Sequence, residues 1–191
     1  MMTWPLSSRN LTARSIDALP MATRASAWNA LYSRQLNSVD FTPADRQGFA
    51  AQLTLGTLGP IQFARMCANR SNIERTRQHI VHGSPRLYSF LLQARGSSVF
   101  NHCGQEARLA EGDFALCDSY APHNFTVEDD SVVIMLRIGA ATLKEHLPCP
   151  EQFCGMHLRS DVGLTAAMSA MVEKLHSKLQ TGFTSVYDER F

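Results

Sequence analysis

The chain has 191 residues, of which 45% are apolar and 18% are charged, and its net charge at pH 7 is +1. This length and composition suit one folded globular unit and exclude a disordered protein. The near-neutral charge, without a cluster of Lys and Arg, excludes a surface that binds the phosphates of nucleic acid.

Cysteine usage and hydropathy bear on the cellular compartment. The five cysteines are scattered and form no CxxC pair, which favours reduced thiols over a disulfide framework or a zinc site. No stretch is long and apolar enough to span a membrane, and the N-terminus lacks the apolar core of a signal peptide. We therefore expect a cytoplasmic protein.

The N-terminal part predicts an arm followed by a helix. Residues 1–22 mix Ser, Thr, Pro and Arg, a composition typical of a flexible arm. From Thr23, a favourable N-cap, apolar side chains including Trp28 and Tyr32 recur at helical spacing. The pattern predicts a short helix that docks on the rest of the domain and ends before Pro43.

The middle of the chain, residues 49–138, predicts strands. Short apolar runs such as QLTLG, IQFARMCAN, YSFLLQARG and SVVIMLRIG each end at Gly, Asp or Asn. Only closure or face-to-face packing satisfies the edges of so many short strands, so the pattern indicates a sandwich or barrel.

After Gly139 the pattern returns to helix. ATLKEHL predicts one brief segment, and a longer helix follows a loop. The apolar stripe of this longer helix has nearly heptad spacing. It either packs on the barrel or pairs with a second copy, and its members are Leu164, Met168, Met171, Leu175 and Leu179.

These pieces carry a family resemblance. Residues Gln105 to Ser119, preceded by Gly104, meet the pattern G-x-A-x-L-x-x-G-D-[FL]-x-L-x-D-S. With Trp28 and the strand runs in this order, the sequence resembles the N-terminal effector-binding domain of AraC/XylS-type transcription regulators over roughly residues 23–180. The resemblance implies an α+β, mainly β fold: a cupin-like double-stranded β-helix, or jelly-roll barrel, with an N-terminal helix and C-terminal helices.

The resemblance also implies an organisation and a function. Residues 23–138 would form the effector-binding barrel with its docking helix, and residues 139–191 a helical dimerisation or linker segment. Members of the family continue into helix-turn-helix units that read DNA, whereas this chain ends at Phe191. We expect a homodimeric, non-enzymatic sensor of a small molecule that reaches DNA only through a domain absent from this chain.

The alternative is a metal-dependent cupin enzyme, a dioxygenase or an isomerase. Such enzymes hold a metal with three imidazoles and a carboxylate. His102 and His123 fall at cupin ligand positions, but Gly104 stands where a second histidine is needed, and Glu106 lies only near the carboxylate position. We therefore predict no metal and no cofactor, and no nucleophile or phosphate-binding motif is present.

A ligand pocket is predicted from strand alternation, which places Tyr88 and Phe90 on the same face. If that face points into the barrel, it contributes to an apolar wall for an aromatic or carboxylate-bearing effector. Arg65 would need an anionic partner, either the ligand or a carboxylate such as Glu74. The predicted ligand-binding residues are Phe63, Arg65, Tyr88, Phe90, His102, Tyr120, His123 and Phe125.

Overall fold

The secondary structure consists of helices around two β-sheets. The computed structural model describes residues 12–80 and 85–181, except the side chains of residues 179–181. The α-helices of these residues are α1 (Met21–Gln35), α2 (Ala140–Lys144) and α3 (Gly163–Thr181). The strands are β1 (Thr12–Ser15), β2 (Asp40–Pro43), β3 (Ala51–Leu58), β4 (Ile61–Ala68), β5 (Ser71–Arg75), β6 (Leu87–Arg95), β7 (Ser98–His102), β8 (Gln105–Leu109), β9 (Phe114–Asp118), β10 (His123–Val127), β11 (Ser131–Gly139) and β12 (His157–Leu158).

The strands form two antiparallel sheets that enclose one core. The first sheet has seven strands in the order β1-β3-β4-β11-β6-β9-β12, and the second has five in the order β2-β5-β10-β7-β8. Leu53 and Val133 from the first sheet pack with Phe100 and Phe125 from the second. The predicted mainly-β, cupin-like barrel with N-terminal and C-terminal helices is confirmed.

Helix α1 adds aromatic side chains to this core. Trp28 is fully buried, and its ring centroid lies 5.7 Å from that of Phe41 on β2 and 6.3 Å from that of Phe49. Tyr32, one turn later, lies 5.8 Å from Phe41. These ring contacts make α1 part of the barrel core. Removing a buried Trp side chain typically lowers the free energy of unfolding by about 3–5 kcal/mol.

The outer face of the seven-stranded sheet is covered as well. Phe63, Leu92 and Ile134 pack there against Val172 of α3. Tyr88 and Leu116 pack against Leu143 of α2. Strands β6, β9 and β11 therefore bury both of their faces, because the helices shield the side that would otherwise meet water.

Several boundaries differ from the sequence predictions. Helix α1 begins at Met21, and Thr12–Ser15 pairs with β3; both lie within the predicted arm, whose residues 1–11 are outside the described residues. The strands β2 and β5 were not predicted from the sequence because each is short and polar on one face. None of the described helices combines the length and apolar character needed to cross a membrane.

The turn between β8 and β9 anchors the segment that leads into α3. Gly112 has φ 89°, and a Cβ at this position would lie 2.9 Å from Cβ of Ser160, so glycine is required here. Asp113 accepts bonds from the backbone N–H of Ala110 at 3.0 Å, from that of Ser160 at 2.7 Å and from His157 Nε2 at 2.7 Å. Burial alone raises the pKa of Asp113, but these bonds outweigh it and lower the pKa overall.

We expect Asp113→Ala to lower the free energy of unfolding by about 1–3 kcal/mol, because two partly buried backbone N–H groups lose their acceptor. Because the pKa of Asp113 is lower in the folded state, its contribution to the free energy of unfolding depends on pH. The contribution is present above the unfolded pKa near 4 and is lost as the pH falls through the folded pKa. Urea unfolding at pH 7 and pH 3 measures both effects.

The matched control is Asp161→Ala, which removes an exposed carboxylate that pairs with Arg159 at 2.6 Å. We expect a change within about 0.5 kcal/mol for this variant. Equal unfolding midpoints for the two variants would contradict the anchoring role of Asp113.

Candidate functional site

Three side chains with metal-binding or acid–base chemistry meet inside one end of the barrel. His102 on β7 lies opposite His123 on β10, and their rings form an edge contact with centroids 5.7 Å apart. Cys117 Sγ on β9 lies 3.5 Å from His123 Nδ1. One ligand atom from each of the three residues lies within 4.8 Å of the others. This end of the interior is therefore polar.

His102 is held by both of its ring nitrogens. Its Nδ1 lies 3.0 Å from the carbonyl oxygen of Pro122, and its Nε2 accepts the backbone N–H of Asp118 at 2.9 Å. A neutral imidazole with the proton on Nδ1 satisfies both bonds. Burial lowers the pKa of His102, which keeps it neutral. His102 therefore links β7 to the end of β9 and has no free nitrogen.

The other two groups are also uncharged near neutral pH. Burial, followed by the charges of His102 and Arg75, lowers the pKa of His123 to about 3. Burial raises the pKa of the Cys117 thiol. A metal would require the thiolate, and it would have to displace the Asp118 N–H from His102.

The donor set does not fit the metal of an enzymatic cupin. Glu106 is exposed and pairs with Arg108 at 2.8 Å, so it does not complete the group with a carboxylate. Two imidazoles and a protonated thiol remain. The arrangement supports a structural role for His102 and His123 and gives the metal-dependent alternative no support.

Two arginines lie buried at the same end of the barrel. Arg75 ends β5 and Arg137 lies on β11, and their exposed fractions are 6% and 4%. Arg75 donates from Nε to the carbonyl oxygen of Ser119 at 3.2 Å and from Nη1 to that of Ser38. Arg137 donates to the carbonyl oxygen of Leu36 at 2.9 Å and to two side-chain amide oxygens, those of Gln62 at 3.0 Å and Asn37 at 3.1 Å. All of these acceptors are neutral.

Among the described residues, no carboxylate neutralises this arginine pair, Arg75 and Arg137. The ion pairs among residues 12–80 and 85–181 include neither of them. Asp118 is engaged elsewhere, because Arg86 binds it through two bonds of 3.0 and 2.5 Å. Burial lowers the pKa of both members of the arginine pair, and for Arg137 the nearby charge of Arg75 adds to the effect.

The arginine pair faces a cavity of about 400 Å³, which we call the mouth cavity. It lies between the segment that follows α1 and the ends of strands from both sheets. Such a volume accommodates a small organic molecule. Most of its other described lining residues are polar, and the lining includes Ser33, Asn37, Gln62, His79, Leu87, Ser119 and Tyr120.

The structure does not bring the eight predicted ligand-binding residues together. His102, His123 and Phe125 lie in the interior, where each contacts the ring of Phe100. Tyr120 lines the mouth cavity. Phe63, Tyr88 and Phe90 lie on the outer face of the seven-stranded sheet, beneath the helices. The face of β6 that carries Tyr88 and Phe90 points out of the barrel, because Ser89 and Leu91 occupy its inner face. The predicted apolar wall inside the barrel is therefore not formed by these two residues.

Arg65 also lies away from the interior. It shares the outer face of β4 with Phe63, whose ring stacks on His176 of α3 at 5.5 Å. Its Nη1 donates to Cys67 Sγ at 2.8 Å. Glu74, the carboxylate considered as its partner, is on β5 of the other sheet. Arg65 is thus half-buried beside α3 and does not need an anionic ligand.

Sequence reasoning missed the arginine pair, although one signal was present. Arg137 interrupts the run SVVIMLRIG, which is buried on both faces of its strand, and a charged side chain in such a run needs a specific partner. Arg75 gave no such signal, because the short run SNIER alternates like a surface strand.

Known proteins are similar to this chain in sequence and in fold. The family model of the AraC-binding-like domain matches residues 28–185. The crystal structure of the AraC-like transcriptional activator CuxR superposes with a TM-score of 0.79 and 17% identity, covering 94% of this chain and 64% of that chain. The EutQ protein of Clostridium difficile matches less closely, with a TM-score of 0.38 and 12% identity over 49% of this chain and 71% of that chain.

One curated relative is similar in sequence. An uncharacterized protein encoded in the nit 5′ region of Bacillus sp. strain OxB-1 is 26% identical over 100 residues, which are 52% of this chain and 39% of that protein. The chain thus spans less than two thirds of the length of both this relative and CuxR.

The neutral state of His123 gives a pH prediction. An unfolded histidine has a pKa near 6.5, so below that pH the unfolded state takes up a proton that the folded state, with its pKa of about 3, does not. The stability of the protein therefore falls as the pH decreases from about 6.5 toward 3. In His123→Gln we expect the slope between pH 6.5 and 4.5 to decrease by up to about 1.4 kcal/mol per pH unit.

Urea unfolding across this pH range measures the slope. The exposed His146 supplies the control, and His146→Gln is expected to follow the wild-type curve. A wild-type slope in His123→Gln would show that this imidazole is not held neutral in the fold.

Proposed function

Because this chain belongs to the family of AraC-binding-like domains, we propose that it is the ligand-sensing part of an AraC-type transcription regulator and binds its effector in the mouth cavity. The observation that supports this site is the arginine pair, which faces the cavity without a carboxylate partner among the described residues. Of the eight residues predicted from the sequence, the proposed site retains Tyr120, and Arg75 and Arg137 take the role expected of Arg65.

The arginine pair also suggests how binding is transmitted. Both side chains hold the segment between α1 and β2 through the carbonyl oxygens of Leu36 and Ser38. A ligand that takes over some of these donors changes the free energy of one arrangement of this segment relative to others. It thereby shifts the population of domain arrangements, which is what couples an effector site to a DNA-binding domain.

Family membership and fold favour a non-enzymatic regulator over a cupin enzyme. The donor set around His102 and His123 lacks the carboxylate and the free imidazole nitrogens that the enzymatic alternative requires. A regulator of this kind acts on DNA, and we propose that the chain works in the cytoplasm. Direct contact with DNA would come from a separate domain.

Helix α3 divides the predicted apolar stripe between two roles. Met168 packs against the outer-face cluster together with Val172, so it belongs to the contact with the barrel. Leu164 and Met171 point away, with exposed fractions of 75% and 53%. Leu175 is half-buried, and the side chain of Leu179 lies outside the described residues. We propose that Leu164 and Met171 contact a second copy of the chain.

The effector site is tested by filling the cavity. Leu87 is half-buried and lines the mouth cavity, so Leu87→Trp places an indole where the ligand would lie. We expect native mass spectrometry to show an organic adduct on the wild-type protein, purified or incubated with an extract of small molecules, and occupancy reduced roughly tenfold or more in Leu87→Trp.

The control is Val99→Trp, which introduces the same indole on the half-buried face of β7, away from the cavity lining. It should keep the adduct. A wild-type protein without an adduct under both conditions, or equal occupancy in the two variants, would contradict the proposed site.

The dimer is tested by charging the exposed part of α3. We expect the wild-type protein to sediment as a dimer at micromolar concentration and the double variant Leu164→Glu, Met171→Glu to sediment as a monomer, because two carboxylates are costly to bury in an apolar contact. Ala166→Glu, an exposed position on the same helix, is the control and should remain dimeric. A dimeric double variant would exclude this face from the interface.

A further inference from the structure

We propose that the ligand of the mouth cavity is a small organic anion whose carboxylate or phosphate group is bound between Arg75 and Arg137. This inference rests on the proposed sensing role, and it adds the chemical class of the effector. It follows from charge, from the free donors of the two side chains and from the composition of the cavity wall.

Arg75 and Arg137 place two buried positive charges at the mouth cavity. Buried arginines are rarely stable unless an anion neutralises them. Arg86, near the same cavity, follows this rule through its paired bonds to Asp118. Arg75 and Arg137 are more deeply buried than Arg86 and bind only neutral oxygens. Two positive charges at one cavity therefore lack a counter-charge among the described residues.

Both guanidinium groups have N–H donors that no described residue accepts. A guanidinium group carries five N–H donors on three nitrogens. Arg75 uses Nε and Nη1, and its Nη2 has no acceptor among the described residues. Arg137 uses Nη1 and Nη2, and its Nε likewise has no acceptor among the described residues. These are the donors that a carboxylate or phosphate oxygen would accept, and such charge-assisted bonds are stronger than neutral ones.

The wall of the mouth cavity is free of acidic residues among those described. Its described lining contains no Asp or Glu, so nothing there repels an anion. His79 also lines the cavity, and its Nε2 lies 3.6 Å from Asp40 Oδ1. Burial raises the pKa of the nearby Tyr32 to about 12, which keeps that phenol neutral. The arginine pair therefore supplies the two buried positive charges of the cavity wall. The volume of about 400 Å³ fits a small acid rather than a polymer.

The test uses three probes at constant ionic strength: succinate, inorganic phosphate and succinamide, the neutral analogue of succinate. We expect succinate or phosphate to raise the melting temperature of the wild-type protein by roughly 5 to 10 °C at a hundredfold excess over Kd, and succinamide to have no effect. The relative effects of succinate and phosphate identify which anionic group the site prefers.

Variants separate specific binding from general salt effects. Arg75→Gln and Arg137→Gln should lose the increase in melting temperature. Arg70→Gln should keep it, since Arg70 is exposed and pairs with Glu128 at 3.3 Å. If a glutamine variant does not fold, Arg75→Lys or Arg137→Lys replaces it, because lysine keeps the charge and loses the planar pair of donors. We expect at least a tenfold weaker apparent affinity in the lysine variants.

The outcomes distinguish this inference from the sensing role. Equal responses of the wild-type and glutamine variants, equal responses to succinate and succinamide, or no response to either anion up to tens of millimolar would overturn the anion inference. A neutral adduct that is held in the mouth cavity and lost in Leu87→Trp would still support a sensor. Absence of both an anion response and an adduct would remove both proposals.

Discussion

Two buried guanidinium groups, which meet no counter-charge in the part of the chain that the structure describes, define one end of this barrel. Arg137 connects β11 with the α1–β2 segment and with Gln62 of β4, and Arg75 connects the end of β5 with Ser119 and Ser38. The pair thus joins both sheets and the docking helix at one place. The cost of burying two such charges is large, and neutral oxygens offset only part of it. On the proposal above, a bound anion would supply the missing counter-charge.

The remainder of the interior shows why the site is confined to this end. Deeper in the barrel, Phe100 and Phe125 fill the core. His102, which the sequence places at a ligand position of enzymatic cupins, is held by backbone bonds to Pro122 and to Asp118 at the end of β9. In this chain His102 and His123 take part in hydrogen bonding and ring packing inside the barrel. We propose that binding specificity lies in the mouth cavity and in the segment between α1 and β2, which the arginine pair holds in place.

The sequence predicted much of the fold because its local signals agree with each other. The strands β3, β4, β6 and β11 each match one of the short apolar runs that end at Gly or Asn, and the helices α1 and α3 follow their apolar periodicity. The orientation of β6 could not be predicted, because helices cover its outer face and both sets of alternating residues are buried. Tyr88 and Phe90 therefore looked equally suited to either side. The arginine pair depends on contacts between strands far apart in the chain, which periodicity does not report.

The most direct measurement is a crystal structure of the protein soaked with selenate, whose anomalous signal locates an oxyanion without ambiguity. We expect an anomalous peak within hydrogen-bond distance of both Arg75 and Arg137. A mouth cavity that contains no selenate while surface arginines do bind it, or a carboxylate of the chain itself placed between the two guanidinium groups, would contradict an anion-sensing site at this end of the barrel.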